Sequence, residues 1–287
     1  MNFTSNIHLD HRTLQAEVSV LDYTGKVEYA YYLYEKKRGL LVKHMYTSDN
    51  IYSFQLTESG TYYIRTFVRW KEAGSFKYSI LSQNTDELSF RYYNIKTVPY
   101  EALEQESFQS QEGTLYDILW DGVHYEVYIR NHPTSPNAII LGSGAVGRRI
   151  KPNMHRFSWA PGLPGTAIYY NDPTSYIDSC KLGWGYGTNQ RWSLEDIAIL
   201  LCRILRKLNI KPENTLFYGS SGGGFTSMLL AAMFHSRATV INPQFIVENY
   251  KALAVKILKQ VCLKEGEQLI PQRTHVVDFF QAVGYFP

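Results

Sequence analysis

A glycine-rich turn between a strand-like run and a helix-like run constrains this chain more than any other feature. Residues 215–218 are apolar and strand-like, and residues 225–234 have the apolar character of a buried helix. Between them, Gly219 and Gly223 flank Ser221 in the pattern G-x-S-x-G. Glycine permits a sharp turn because it has no Cβ to clash. The sequence therefore predicts a tight strand-to-helix turn that holds the Ser221 hydroxyl above the end of a strand.

In this context the pattern is typical of a nucleophile elbow, with Ser221 as the nucleophile. The Gly222 N–H, at the start of the following helix, would point at the oxyanion formed when Ser221 attacks a carbonyl. A phosphate or other anion site and a purely structural turn are the alternatives. No lysine follows the glycines, which argues against a P-loop.

Composition indicates an ordinary globular protein with room for one large or two modest domains. The 287 residues are 45% hydrophobic and 19% charged, and the net charge is only +3. That charge is too small to predict a nucleic-acid partner. The 23 tyrosines favour β-rich packing and are also compatible with surfaces that stack on sugars.

The cysteines and the N-terminus predict a reducing, cytoplasmic compartment. Cys180, Cys202 and Cys262 are odd in number and widely spaced, without the pairing of a metal site, so no metal is expected. Cys202 lies in an apolar helical run and is expected to be buried. Residues 1–10 lack the charged and apolar regions of a secretory signal. No stretch approaches the roughly 20 apolar residues of a transmembrane helix.

The first part of the chain alternates with a period of two, which is typical of strands. Short glycine-punctuated runs predict six strands, at 16–21, 28–34, 40–45, 51–56, 60–69 and 75–81. Strands at this spacing predict a small all-β sandwich of immunoglobulin-like type over residues 1–87. Residues 88–113 are mostly polar and are interpreted as a connector with one strand near 90–95.

Residues 114–287 change to an α/β pattern. Asp121-Gly122 predicts a two-residue hairpin between two strands. Strands and helices then alternate, with strands at 138–141, 166–170, 215–218 and 238–242 and helices at 194–208, 225–234 and 247–263. This order predicts a doubly wound sheet that begins antiparallel and continues parallel.

From about Tyr116 onward, roughly three fifths of the chain, the order of these features resembles an α/β-hydrolase domain. The segments LGWGYG at 182–187, YGSSGGGF at 218–225 and INPQ at 241–244 resemble serine acyltransferase or esterase-like proteins of bacterial capsular and surface polysaccharide biosynthesis. A β-sandwich can precede the hydrolase domain in that group. The resemblance implies an acetyl or similar ester made or removed on a glycan through a Ser221 acyl-enzyme. No cofactor is implied, other than an acyl donor such as acetyl-CoA if the enzyme is a transferase.

A serine nucleophile requires a base, usually a histidine oriented by an acid. Among the histidines after Ser221, His235 ends the elbow helix, whereas His275 with Asp278 supplies a candidate base and acid. Asp278 follows His275, which reverses the usual chain order for this fold. The resembled proteins carry both groups on loops after later strands, so the domain is expected to be truncated at its C-terminus. A base recruited from elsewhere, such as His155, is the remaining alternative.

The loop after the third strand, residues 142–147, is where this fold supplies a second oxyanion donor, and Ala145 or Val146 is the candidate. A flexible glycine turn is the alternative. Arg148 follows immediately with two further cations. It is either a solvated charge or a ligand for a carboxylate, a phosphate or an anionic glycan.

The remaining candidates for substrate binding lie in two segments near the elbow. Trp184 and Tyr186 belong to a non-periodic loop that is expected to lie outside the core. Their rings either stack on a sugar or cover the acyl group. The alternative is that they pin the loop to the domain. Asn242 and Gln244 follow the next strand and either bind substrate or brace the elbow.

The combined prediction is an immunoglobulin-like sandwich followed by an α/β-hydrolase-like domain that uses Ser221 for acyl transfer or ester hydrolysis. The substrate would be a glycan or a small acyl ester. The rival is a non-catalytic glycan-binding or scaffold protein with a degenerate hydrolase domain. Neither the choice between hydrolase and transferase nor the oligomeric state follows from the sequence.

Overall fold

The computed structural model describes residues 1–71, 77–145 and 150–284. The strands, numbered along the chain, are β1 (Asn2–Asp10), β2 (Thr13–Leu21), β3 (Val27–Glu35), β4 (Gly39–Thr47), β5 (Ile51–Gln55), β6 (Gly60–Lys71), β7 (Tyr78–Asn84), β8 (Leu88–Phe90), β9 (Asn94–Pro99), β10 (Thr114–Trp120), β11 (Val123–Arg130), β12 (Ala138–Gly142), β13 (Ile150–Lys151), β14 (Thr166–Tyr170), β15 (Thr215–Ser220) and β16 (Arg237–Ile241). The α-helices are α1 (Ser193–Lys207), α2 (Gly222–Met233), α3 (Ala252–Cys262), α4 (Pro271–Thr274) and α5 (Val276–Val283).

The chain divides into two units. Unit 1 contains residues 1–92 together with β13, and unit 2 contains the rest. The predicted boundary at residue 87 and the predicted connector over 88–113 therefore differ from the structure. β8 pairs with β6 inside unit 1, whereas β9 pairs in parallel with β10 inside unit 2. Most of the expected connector is built into one unit or the other because its short apolar runs pair with existing sheet edges.

Unit 1 is all-β, with two sheets. One has the order β13-β1-β2-β5, and the other has the order β4-β3-β6-β7 with β8 attached to β6. Buried residues alternate along β2 at Leu14, Ala16 and Val18, as the period of two predicts. Tyr31 of one sheet stacks on Tyr52 of the other at 5.7 Å between ring centroids. The sheets therefore pack as a sandwich, and the immunoglobulin-like assignment stays a prediction.

Two strands of unit 1 depart from the sequence prediction. β1 was not predicted, yet it pairs with β2 along its whole length, from Asn2 opposite Leu21 to Asp10 opposite Thr13. β1 is mostly polar and so gives a weak strand pattern, although its alternate positions Ile7 and Leu9 are buried. The last predicted strand, at 75–81, is seen from Tyr78 onward, and residues 75–76 lie outside the described residues.

Unit 2 is a mixed α/β unit built on a sheet with the order β16-β15-β12-β14-β11-β10-β9. β10 and β11 form the predicted antiparallel hairpin, and β11 is also antiparallel to β14. β12, β14, β15 and β16 are mutually parallel, so their carboxyl ends share one edge of the sheet. Ligands of parallel α/β sheets bind at that edge.

The helices of unit 2 bury apolar faces in one continuous core. α1 buries Leu194, Ile197, Leu201 and Ile204 on one face, and Cys202 is exposed on another. The prediction that Cys202 is buried was therefore wrong, because the residue lies one position away from the apolar stripe. α2 is buried almost all round. The single helix predicted over 247–263 is a short 3₁₀ turn followed by α3.

Among the described residues, no helix combines the length and the apolar character needed to cross a bilayer.

Candidate active site

Ser221 lies at the junction that the sequence predicts, between the end of β15 and the start of α2. Its backbone is strained, with φ +54° and ψ −126°. Such a conformation costs a non-glycine residue about 1–3 kcal/mol and persists only where the surroundings impose it. Two hydrogen bonds hold it in place: the Ser221 N–H donates to the Ile241 carbonyl at 3.1 Å, and the Phe225 N–H donates to the Ser221 carbonyl at 3.1 Å.

The glycines around Ser221 are required by close packing of backbone on backbone. A Cβ at Gly219 would lie 2.1 Å from the Gly223 carbonyl oxygen, and a Cβ at Gly223 would lie 2.5 Å from the Gly142 carbonyl oxygen. The second contact also shows that the end of β12 lies against the first turn of α2. The structure therefore brings the loop after the third strand of the predicted α/β order next to the elbow.

The backbone amide of Gly222 is placed as an anion donor. It is the first residue of α2, and its N–H donates to no described acceptor. The first-turn amides of a helix have no intrahelical partner and favour negative charge. The Gly222 N–H is therefore available to a ligand atom at the elbow.

The loop after β12 is held by Asn153, a buried residue that the sequence analysis missed. The Ser143 hydroxyl donates to the Asn153 carbonyl at 2.5 Å, and the Asn153 side-chain amide donates to the carbonyls of Gly144 at 3.4 Å and Ala145 at 3.5 Å. Ala145 is thus tied through its carbonyl, and its role as oxyanion donor stays a prediction. The other predicted members of this loop, Val146 and Arg148, lie outside the described residues.

His155 contacts this loop. Its Nδ1 accepts a hydrogen bond from the Gly144 N–H at 3.3 Å, so the neutral ring carries its proton on Nε2. Burial, and next the positive charge of Arg156, lower the pKa of His155 below its ordinary value. The imidazole is therefore neutral at pH 7, and no described contact joins it to Ser221.

The Ser221 hydroxyl is held by Gln244. The side-chain amide of Gln244 donates to Ser221 Oγ at 3.0 Å, and its Oε1 accepts from the indole N–H of Trp184 at 2.5 Å. Because the indole can only donate, it fixes the orientation of the amide and points the NH₂ group at the serine. Gln244 thus braces the elbow, one of its two predicted roles, and Ser221 Oγ accepts a bond and keeps its own proton to donate.

The other residues predicted to bind substrate are placed differently. Trp184 and Tyr186 are 1% and 0% exposed, so neither presents a ring face to a sugar, and of the alternatives the structure favours the one in which these rings pin the loop to the domain. Their loop, predicted outside the core, is part of it, and the half-buried Asp172 ties it down by accepting the Gly185 N–H at 2.8 Å. Asn242 is exposed at the end of β16 with φ +45°, and no described hydrogen bond links its side chain to Ser221.

The predicted acid and base do meet, but away from the serine. Asp278 Oδ2 lies 3.2 Å from Nδ1 of His275, the arrangement by which an acid orients a catalytic imidazole. The other ring nitrogen, Nε2, lies 3.3 Å from Glu248 Oε2. His275 therefore sits between two carboxylates, and the nitrogen that would face a serine hydroxyl faces an acid. The structure does not bring His275 and Ser221 into contact.

A cation that the sequence analysis missed lies beside the elbow. Nη2 of Arg156 donates to the hydroxyl of Ser220, the residue directly before the nucleophile candidate, at 3.2 Å. The guanidinium lies over the rings of Trp159 and Tyr218, at 5.4 and 5.1 Å from their centroids. The sequence offered one related signal, the cations that follow β12, and it favoured Arg148 rather than Arg156.

No family model matches this chain, and no curated protein matches it. Several solved structures are similar over part of it. The capsule O-acetyltransferase of Neisseria meningitidis serogroup A is 19% identical, covering 50% of this chain and 61% of its own, with a TM-score of 0.41. The glycosylation-associated protein (Gap123) complex from Streptococcus agalactiae is 13% identical, covering 85% and 41%, with a TM-score of 0.38.

Esterase 2 of Thermogutta terrifontis is 12% identical, covering 60% of this chain and 65% of its own, with a TM-score of 0.36. The chain thus spans less than two thirds of the length of each of these three structures. At such identities and TM-scores, these similarities do not assign an activity to it.

Proposed function

We propose that unit 2 is an α/β-hydrolase-like enzyme that transfers or hydrolyses an acyl ester, with Ser221 as the nucleophile. The observation that carries this proposal is the strained backbone of Ser221 between β15 and α2. A structural turn flanked by this many glycines would place a glycine at the one position with positive φ. A serine there, held by packing and hydrogen bonds, indicates that its hydroxyl is needed at that point.

The chemistry follows from the arrangement of groups at the elbow. Ser221 Oγ attacks the ester carbonyl carbon, and the carbonyl oxygen takes up negative charge next to the Gly222 N–H. The carbon–oxygen bond to the alcohol then breaks, the alcohol leaves with the proton that Ser221 Oγ gave up, and an acyl-serine remains. Water or an acceptor hydroxyl attacks this acyl group and regenerates Ser221. Gln244 holds Oγ in place through its amide.

The finer assignments rest on the three sequence motifs rather than on the site geometry. We propose a glycan as the substrate, either as a hydroxyl that accepts the acyl group or as an ester that gives it up to water, and acetyl-CoA as the acyl donor if the enzyme is a transferase. The cytoplasmic location likewise stays a prediction.

Labelling with a fluorophosphonate probe tests the proposal. The probe forms a covalent adduct only with an activated serine, and mass spectrometry of the peptide identifies the residue. We expect an adduct on Ser221 that Ser221→Ala abolishes. Ser220→Ala is the matched control, because it removes the neighbouring hydroxyl, and it should leave the adduct in place. Folded wild-type protein that forms no adduct would contradict the proposal.

A second candidate, a non-catalytic glycan-binding protein, is favoured by one observation. The side chain that contacts Ser221 Oγ is the amide of Gln244, not an imidazole. On this candidate Ser221 would not react with the probe, and unit 1 would bind glycan by itself. Glycan binding by a protein that fails to label would support it.

A further inference from the structure

Arg156 is held in a strained backbone conformation at the same edge of the sheet as Ser221. Its φ is +61°, in the left-handed region that favours glycine. Its carbonyl is anchored by two donors, the Tyr169 hydroxyl at 3.0 Å and the Trp159 N–H at 2.9 Å. Strain that the surrounding structure imposes on a non-glycine residue points to a positional requirement for its side chain.

The direction of the Arg156 side chain follows from β15. Phe217 and Gly219 are buried on one face of the strand, and Tyr218 and Ser220 are half-buried on the other. Arg156 contacts both residues of the second face, with its guanidinium over Tyr218 and its Nη2 on Ser220 Oγ. Ser220 is the last residue of β15, so the guanidinium lies at the carboxyl end of the strand, one residue from Ser221.

The charge of Arg156 is not neutralised by the described part of the protein. No described carboxylate lies within ion-pair distance of its guanidinium, and its side-chain hydrogen bond goes to a neutral hydroxyl. A guanidinium has five N–H donors, so most remain for a ligand. Burial lowers the pKa of the adjacent His155, and the positive charge of Arg156 is the next cause.

One of the rings beside Arg156 is exposed. Trp159 is 45% exposed, and its indole lies 5.6 Å from the Tyr218 ring. An exposed indole beside a stacked guanidinium can cover the apolar face of a ring-shaped ligand while the guanidinium binds an anionic substituent. Carboxylate and phosphate both fit the bidentate fork of arginine.

We propose that Arg156, with Trp159 and Tyr218, forms a subsite for an anionic substituent of the ester that Ser221 attacks. This inference deepens the proposed function and rests on it for the identity of the ligand as an ester. The substrate class is an ester that carries a carboxylate or a phosphate group on its alcohol side.

Binding is measured in Ser221→Ala protein, so that the result does not depend on catalysis. The ligands are 3-acetoxybenzoate and its methyl ester, which share one acetyl ester and differ in charge, and 3-acetoxyphenyl phosphate. We expect calorimetric titration to show the anions binding about tenfold more tightly than the neutral ester, as one charge-assisted contact at a half-exposed site allows. Comparison of the two anions distinguishes a carboxylate from a phosphate site.

Arg156→Met in the Ser221→Ala background should remove the preference for the anions, and Arg156→Lys should keep part of it. The lysine variant retains the charge and keeps the test valid if the methionine variant folds poorly. Arg203→Met is the matched control, because Arg203 also lies over a ring, that of Tyr100 at 4.2 Å, and its guanidinium pairs with Glu104 rather than contacting the elbow. The preference should also shrink between about 50 and 500 mM salt, because exposed charges are screened.

Equal affinity for the charged and neutral esters, or a preference that survives in both Arg156 variants, would overturn the inference. Absence of the fluorophosphonate adduct in wild-type protein would instead remove the catalytic proposal and leave this binding result intact. The two failures are therefore distinguishable.

Discussion

The Ser221 elbow and the His275 cluster each contain part of the machinery of a serine enzyme, and they are built in opposite ways. At the elbow the backbone is strained and enclosed, and within the described part of the chain the side chain that contacts the hydroxyl of the nucleophile candidate is Gln244. At His275 the backbone is ordinary, and the imidazole lies between Glu248 and Asp278 with its side chain 30% exposed. Among the described residues, the elbow has a candidate nucleophile with no base in contact with it, and the cluster has a candidate base and acids with no nucleophile in contact with them.

The two sites differ in how the chain forms them. The elbow is formed by neighbours in sequence, and its packing leaves little freedom at any position. The His275 cluster joins two segments that a backbone bridge between Ile246 and His275 also connects, so its side-chain contacts can be replaced. Substitutions should therefore lower stability and labelling rate strongly at the elbow and only slightly at the cluster.

The largest effect is expected from Gly219→Ala. The new Cβ would lie 2.1 Å from the Gly223 carbonyl oxygen, a backbone atom that cannot move without breaking the elbow. We expect the free energy of unfolding to fall by about 3 kcal/mol, measured by urea denaturation. Gly162→Ala is the control, since nothing lies within 4 Å of its Cβ position. Equal stability of the two variants would show that the elbow is not tightly packed.

Next in size is Gln244→Ala. It leaves the buried indole N–H of Trp184 without its acceptor, which costs about 1–3 kcal/mol, and it releases Ser221 Oγ from its amide partner. We expect lower stability together with a slower rate of fluorophosphonate labelling. Gln244→Glu keeps an acceptor for Trp184 and should restore most of the stability. If Gln244→Ala labels at the wild-type rate, Gln244 does not position the serine.

A smaller effect is expected from His275→Ala. Partly exposed ion pairs contribute at most about 1 kcal/mol, so stability should change little. A general base contributes roughly 100-fold or more to rate. Because Nε2 faces Glu248 and not Ser221, we expect the rate of labelling to change less than about threefold. A drop of 100-fold would break the contrast, since it would mean that the cluster reaches the elbow in solution.

The smallest effect concerns His155 and pH. Its pKa is lower in the folded protein than the ordinary value of 6.5, so the unfolded chain binds the proton more readily. The contribution of His155 to stability is therefore fully present above pH 6.5 and decreases as the pH falls below that value. His155→Gln should flatten the pH dependence of unfolding in this window. An NMR titration should show the pKa of His155 rising in Arg156→Met, because the second cause of its lowering is removed while burial remains. An unchanged pKa would show that the charge of Arg156 does not contribute.

The elbow and the hairpin were predictable because their signals are local. Gly219, Ser221 and Gly223 lie within five residues, and the dipeptide Asp121-Gly122 by itself predicts a hairpin turn. The alternation of strands and helices predicted the mixed α/β class of unit 2 for the same reason. Each of these elements depends on residues close together in the sequence.

The remainder depends on contacts between distant segments. Trp184 is buried because Gln244, sixty residues later, accepts its N–H. Arg156 reaches the elbow across a separation of sixty-four residues. The parallel pairing of β9 with β10 depends on which edge of the sheet is free, and the local sequence does not specify that edge. Residue type and spacing do not carry this information, so the sequence predicted the loop at 182–187 outside the core and gave no sign of a role for Arg156.

The position of β13 has a consequence for dissecting this protein. Although it follows β12 of unit 2 along the chain, β13 pairs with β1 in unit 1. A fragment cut after Tyr92 would lack its partner for Leu9 and Asp10 and would expose the bare N–H and C=O groups of an edge strand, a template for aggregation. Excising unit 1 cleanly would therefore require supplying the missing strand, by circular permutation or by adding a peptide.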